Sequence, residues 1–135
     1  MYGSDMQERA DIDNVVFAVE DMRAPFVSAC YSDDFESRRA SLAEALPPQL
    51  TRLERWFEMR DGPFVASKEI SLADFFVYEV LDLLVHFDPA VLASFPKCAA
   101  FHMHMHTLPQ IAAYRASDRC VKSFNNKSAK WGGNF

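Results

Sequence analysis

ISLADFFVYEVLDLLVHF, residues 70–87, opens on a helix-start signal and continues as a segment that is apolar nearly all round. Ser71 followed three residues later by Asp74 is a capping-box pattern. The serine oxygen can accept from a first-turn N–H, while Asp74 reaches back to the Ser71 amide at the positive end of the helix. Ile70 and Phe75 stand where a hydrophobic staple would set the direction of the incoming chain. Past that point Phe76, Val77, Val80, Leu81, Leu83 and Leu84 leave only Glu79 and Asp82 charged, so other helices must surround this one. Fewer than about 18 apolar residues run in succession, which argues against a membrane span.

The flanking sequence reads as helices, with no convincing strand. Ser4 and Gln7 suggest a second capping box opening a helix over residues 5–29, with apolar positions at Ile12, Val15, Val16, Val19, Met22, Phe26 and Val27 and a kink at Pro25. After a turn at Tyr31-Ser32-Asp33-Asp34, Asp33 and Glu36 can cap a helix that continues to about residue 59, bent at Pro47-Pro48 and burying Leu50, Leu53, Trp56 and Phe57. Asp61-Gly62-Pro63 ends it. Shorter helices are expected over residues 97–107 and 109–116, each with proline at or near its first position, and residues 117–135 read as irregular. The expected fold is an all-α bundle of about five to six helices in one domain, residues 1–135. With 135 residues the chain can bury roughly two thirds of its unfolded surface.

The net charge of −5 argues against nonspecific nucleic-acid binding. Its distribution is uneven. From Arg115 onward five basic residues face one acid, a surplus of +4, which leaves −9 on the remainder. A solvated tail complementing helix ends accounts for this, and an anion-attracting patch is the alternative. Cys30, Cys98 and Cys120 are odd in number, widely spaced and without a CxxC pair, as expected of reduced thiols in the cytoplasm. The polar, acidic start MYGSDMQERADID lacks a secretory pattern. No P-loop, GxGxxG, GxSxG or HExxH occurs.

His102 and His106 share a helix face at metal-ligand spacing. Without a neighbouring cysteine or carboxylate in the sequence they read as solvent-facing residues flanking buried Phe101, Met105 and Leu108, and no metal site is assigned.

The pattern IxxxDFxVYxVLDLxxxF over residues 70–87 resembles the sixth helix of the cytosolic glutathione S-transferases, the mu class in particular. Glu8-Arg9-Ala10-Asp11-Ile12, Cys30-Tyr31 with Asp34-Phe35-Glu36, Phe95-Pro96, Ala113-Tyr114, Ser117, Arg119, and Lys127, Ala129, Trp131 and Gly132 are similar to mu-class segments in order and spacing. The resemblance spans nearly the whole chain but only the family's helical C-terminal domain. The thioredoxin-like N-terminal domain, whose tyrosine stabilises the glutathione thiolate in that class, has no counterpart among these residues. The resemblance therefore implies half of an electrophile pocket and part of a homodimer surface, with glutathione as co-substrate of the complete enzyme, no resident cofactor, and no nucleic-acid or membrane partner. Negligible transferase activity is expected of the chain alone, because the thiolate is the nucleophile.

By the same resemblance, Tyr31 matches a tyrosine whose hydroxyl faces the second substrate and donates to developing charge. As a bare residue it is an amphipathic tyrosine at a helix end. Asp21 matches an aspartate that reaches glutathione's amino end in the neighbouring subunit, and otherwise sits on a solvated acidic face. The wall positions, commonly methionine or another large apolar residue in the class, are Glu20, Ala24 and Val27 here, which puts the preferred electrophile in doubt. Phe124, Asn125 and Asn126 would cap the pocket, although the tail differs in length by about one residue. The implied dimer surface includes Met6, Ala10, Gln49 and Leu53, and the face that would dock the other domain should be sticky when uncovered. The competing class is a noncatalytic helical module of this family that serves in protein assembly.

Overall fold

The computed structural model describes residues 1–133, and Asn134 and Phe135, the end of the expected irregular tail, lie outside the described residues. Five helices and no strand occur among them: α1 Met6–Cys30, α2 Phe35–Glu58, α3 Leu72–Phe87, α4 Pro96–Thr107 and α5 Pro109–Arg115. The all-α expectation holds. Helix α3 packs on α1 and α4, α2 packs on both α1 and α4, and α5 folds against α4. None of these helices is long and apolar enough to cross a membrane.

The decisive stretch forms as its sequence requires. Asp74, fully buried, receives the Ser71 N–H at 2.7 Å and the Ser71 hydroxyl at 2.8 Å on Oδ2. Its second oxygen accepts the Val65 N–H at 2.7 Å, a partner nine residues upstream. One carboxylate thus starts α3 and ties down the preceding loop. From the other side Trp56 donates its indole N–H to the Val65 carbonyl at 2.7 Å. Arg60 stacks over Trp56, donates to the Ala66 carbonyl, and pairs with Asp11 of α1 at 2.8 Å. Val65 and Ala66 are consequently as buried as core residues. Downstream Val77, Val80, Leu81, Leu83, Leu84 and Phe87 fill the centre of the bundle.

Two caps fall one residue from their expected places. Helix α1 is capped by Asp5, which accepts the Glu8 N–H at 2.9 Å, while the Glu8 carboxylate returns to the Ser4 N–H and hydroxyl at 2.8 and 2.7 Å. Ser4 and Gln7 therefore do not form the box. Adjacent Ser and Asp can both cap, and Glu8 decides the register. Asp34 stands at the N-cap of α2 without a side-chain bond, and the expected cap, Asp33, lies one residue outside and pairs with Lys130 at 2.9 Å. Both long helices run on through their prolines, α1 past Pro25 and α2 past Pro47 and Pro48.

A further clamp joins distant elements. Glu54 on α2, 8% exposed, accepts the N–H groups of Lys97 and Cys98 at 2.7 and 2.9 Å, at the start of α4 where the dipole favours a negative charge. Burial pushes the neighbouring Cys98 thiol well above its ordinary pKa, and the Glu54 carboxylate adds to the shift. Cys30, Cys98 and Cys120 are all free.

Asp74→Ala strands the Val65 and Ser71 donors, so it should cost about 2–4 kcal/mol in urea denaturation, against about 1 kcal/mol for Ser71→Ala. Equal, small effects would show that the loop holds without the carboxylate.

Candidate functional site

The C-terminal end of α1 meets the tail. Tyr31, the C-cap of α1, lies 40% exposed, and its hydroxyl accepts the Asn126 N–H at 3.2 Å across 95 residues of sequence. Lys130 donates its N–H to the Cys30 carbonyl at 2.7 Å, beside its ion pair with Asp33. The tail then closes on itself. Gly132, at φ 72°, turns the chain so that its carbonyl accepts the Asn125 N–H at 2.8 Å, and the Asn125 side chain donates to the Trp131 carbonyl at 3.0 Å. Trp131 anchors this loop edge-on against Phe26 of α1 and Phe87 of α3, with centroids 5.5 and 5.7 Å away. Phe124 stacks on Trp131 and meets His86 edge-on.

These contacts bring Tyr31, Val27, Phe124 and Asn126 to one end of the molecule. Val27 and Phe124 line a crevice of about 10 Å³ with Arg23, Glu79, Val80, Leu83 and Asn125. Glu20 pairs with Arg23 at 3.0 Å, and Ala24 is exposed. Arg23 is the residue that the sequence reading missed, although the Glu20–Arg23 spacing is that of an i,i+3 ion pair.

Asp21 belongs elsewhere. It lines a groove of about 240 Å³ between α1 and α2, together with Gln49, Leu53, Arg52 and Trp56. Leu53 is only 8% exposed, and the Gln49 amide oxygen is buried without a hydrogen-bond partner among the described residues. Met6, 84% exposed, and Ala10, also exposed, lie nearer the start of α1.

A third cluster corrects the reading of the histidines. They are not solvent-facing: His102 and His106 are half-buried, and the carboxylate missing from their own segment is supplied by Asp82 of α3. His102 Nε2 lies 3.0 Å from Asp82 Oδ1, and Arg115 donates to Asp82 Oδ2 at 2.8 Å and to the Tyr78 hydroxyl at 3.2 Å. That hydroxyl is 3.2 Å from His106 Nδ1, and the Tyr78 ring stacks on His102. Burial opposes ionisation of Asp82, but the hydrogen bonds from His102 and Arg115 outweigh it and hold its carboxyl below the usual range. Burial, with Arg115 nearby, lowers the pKa of His106 and favours the neutral imidazole. Part of the basic tail serves helix ends and carboxylates: Lys122 donates to the Arg115 carbonyl that closes α5, and Lys130 pairs with Asp33.

The sequence profile of the glutathione S-transferase C-terminal domain family matches residues 20–118. The chain belongs to that family. It is 36% identical to Glutathione S-transferase Mu 5 of Rattus norvegicus and to Glutathione S-transferase Mu 3 of Homo sapiens, over 98% of this chain and 58% of each relative. A class-mu 26 kDa isozyme of Fasciola hepatica is 34% identical over 98% of this chain and 61% of its own length. The chain thus spans less than two thirds of these curated relatives. A solved structure of an Onchocerca volvulus pi-class glutathione S-transferase superposes with a TM-score of 0.83 at 24% identity, over 95% of this chain and 63% of that one, a likeness of fold.

Trp131→Ala in this transferase-family domain should cost about 2–3 kcal/mol and release the tail, seen as lost amide protection at Asn125, Asn126 and Lys130. Tyr31→Phe removes one exposed hydrogen bond and should cost less than about 1 kcal/mol. Unchanged protection in Trp131→Ala would contradict the anchoring role.

Proposed function

We propose that this chain is the electrophile-binding and dimerisation portion of a mu-like glutathione transferase, catalytically silent on its own. The observation that carries the reading is the 34–36% identity to mu-class transferases along 98% of the chain. The gathering of Tyr31, Val27, Phe124 and Asn126 at one end supports it.

In this reading the Tyr31 hydroxyl is the reacting group that the helical half contributes. As an acceptor from the Asn126 N–H, it keeps its own proton to donate, and the accepted bond both orients the oxygen and polarises the O–H. A donor held in place before reaction stabilises an oxygen that gains charge as glutathione sulfur attacks, without reorganisation cost at that moment. Val27 and Phe124 supply the apolar wall, with Arg23 beside them, and the family resemblance adds Ala24 and Glu20, whose pair with Arg23 makes that wall more polar than methionine would. Asn126 holds the tail over the site.

Thiolate formation belongs to the thioredoxin-like half of the complete enzyme, since a thiol near its ordinary pKa is a few per cent ionised at neutral pH and needs a dedicated donor. Asp21 would reach glutathione's amino group in the neighbouring subunit of a homodimer. Met6, Ala10, Gln49 and Leu53 would lie on or beside that interface, where a partner could satisfy the buried Gln49 oxygen.

The test joins a mu-class thioredoxin-like domain to the N-terminus of this chain and measures glutathione conjugation to an activated aryl halide and to an epoxide. The fusion should turn over, the chain alone should not, and Tyr31→Phe in the fusion should lower kcat for the epoxide by roughly tenfold. A folded fusion without turnover would overturn the proposal in favour of a noncatalytic assembly module.

A further inference from the structure

We propose that Asp82, His102 and His106 form a binding site for a divalent transition ion of the zinc class, clipping α3 to α4. The ligand atoms that these three residues offer all lie within 4.8 Å of one another, and His102 Nε2 is already 3.0 Å from Asp82 Oδ1. An ion about 2.0–2.2 Å from each donor separates tetrahedral ligands by about 3.4 Å, so small side-chain rotations of His102 and His106 suffice. His102 and His106 stand four apart on α4, the spacing that puts two imidazoles on one face, and α3 supplies the third ligand from a partner helix.

The chemistry of the donor set fits. Two imidazoles and one carboxylate suit zinc better than magnesium or calcium, which want oxygen. The surrounding groups act as an outer shell. Arg115 occupies Asp82 Oδ2, which leaves Oδ1 to bind through one oxygen, and the Tyr78 hydroxyl beside His106 Nδ1 sets that ring so that Nε2 can ligate. The side chains of Asp82 and His102 are 8% and 12% exposed, enough to shield the ion while solvent supplies a fourth ligand. Ligation through His102 Nε2 replaces its hydrogen bond to Asp82 Oδ1, and that ring then binds as the Nδ1–H tautomer. Arg115 and Asp82 cancel in charge, so the ion enters a neutral site, and micromolar rather than tighter affinity is expected.

This cluster is separate from the Tyr31 end and does not depend on the transferase reading. Asp82 and Tyr78 turn toward α4, whereas Val80 and Leu83 line the crevice beside Phe124.

The experiment titrates the untagged, chelator-stripped chain with Co²⁺ and follows the visible absorption, then repeats the titration with Zn²⁺ by calorimetry. One ion per chain with the intense bands of four-coordinate cobalt is expected. His106→Gln leaves the Asp82–Arg115 pair intact, so it should stay folded by circular dichroism yet weaken binding by more than about 100-fold, beyond what losing an outer-shell partner costs. His102→Gln should do the same, and His104→Gln, on another face of α4, should bind as the parent does. Saturable binding that survives in folded His106→Gln, only weak six-coordinate bands, or no binding would each overturn the site and leave the cluster as hydrogen-bonded support for buried Asp82.

Discussion

The fold hangs on one buried carboxylate. Asp74 has no exposed surface and, among the described residues, no cationic partner, and a buried carboxyl group is costly unless hydrogen-bond partners replace its lost water. The Ser71 N–H, the Ser71 hydroxyl and the Val65 N–H do so, at the end of α3 where the helix dipole favours negative charge. Because Val65 is also held by Trp56 of α2, the same carboxylate fixes where α3 begins relative to α2. Arg60, bonded to Ala66 and Asp11, extends that fixation to α1. With the start of α3 set, the rest of its length is determined by the 3.6-residue period: Val80 and Leu83 turn toward α1 and the tail, Tyr78 and Asp82 toward α4.

What the helical scaffold can do chemically follows from the same geometry. Aromatic packing among Phe26, Phe87, Trp131 and Phe124 pins an otherwise irregular tail, and the pinned tail presents Asn126 to Tyr31. A hydroxyl that would rotate freely at a helix end is thereby oriented. In the proposed reading, that orientation lets the hydroxyl meet developing charge on a second substrate. Making a thiolate is a different task, which calls for donors aimed at sulfur, and the proposed division of labour assigns it to a partner domain.

How much was legible in the sequence depended on distance along the chain. The α3 cap could be read because Ser71 and Asp74 are three residues apart and no neighbour competes. At Ser4-Asp5 and Asp33-Asp34 two cap-forming residues stand side by side, and at the first the choice fell to Glu8. Asp33 pairs instead with Lys130, almost a hundred positions away and beyond any local pattern. The histidines show the same limit. Their shared helix face was visible, but Asp82, 20 residues from His102, and Arg115, 33 residues from Asp82, come together only through α3–α4–α5 packing. Glu54 capping α4 from 43 residues away left no local signal either. The candidate site came from family resemblance, and its residues divide between the tail end and the α1–α2 groove as no periodicity could reveal.

The central claim is that this helical domain receives an electrophile but does not activate glutathione. The most direct measurement is the ultraviolet thiolate absorbance of glutathione titrated with the purified chain at neutral pH. The account predicts the absorbance of free glutathione at every protein concentration. A saturable rise in thiolate would mean that the helices alone lower the thiol pKa, and would contradict it.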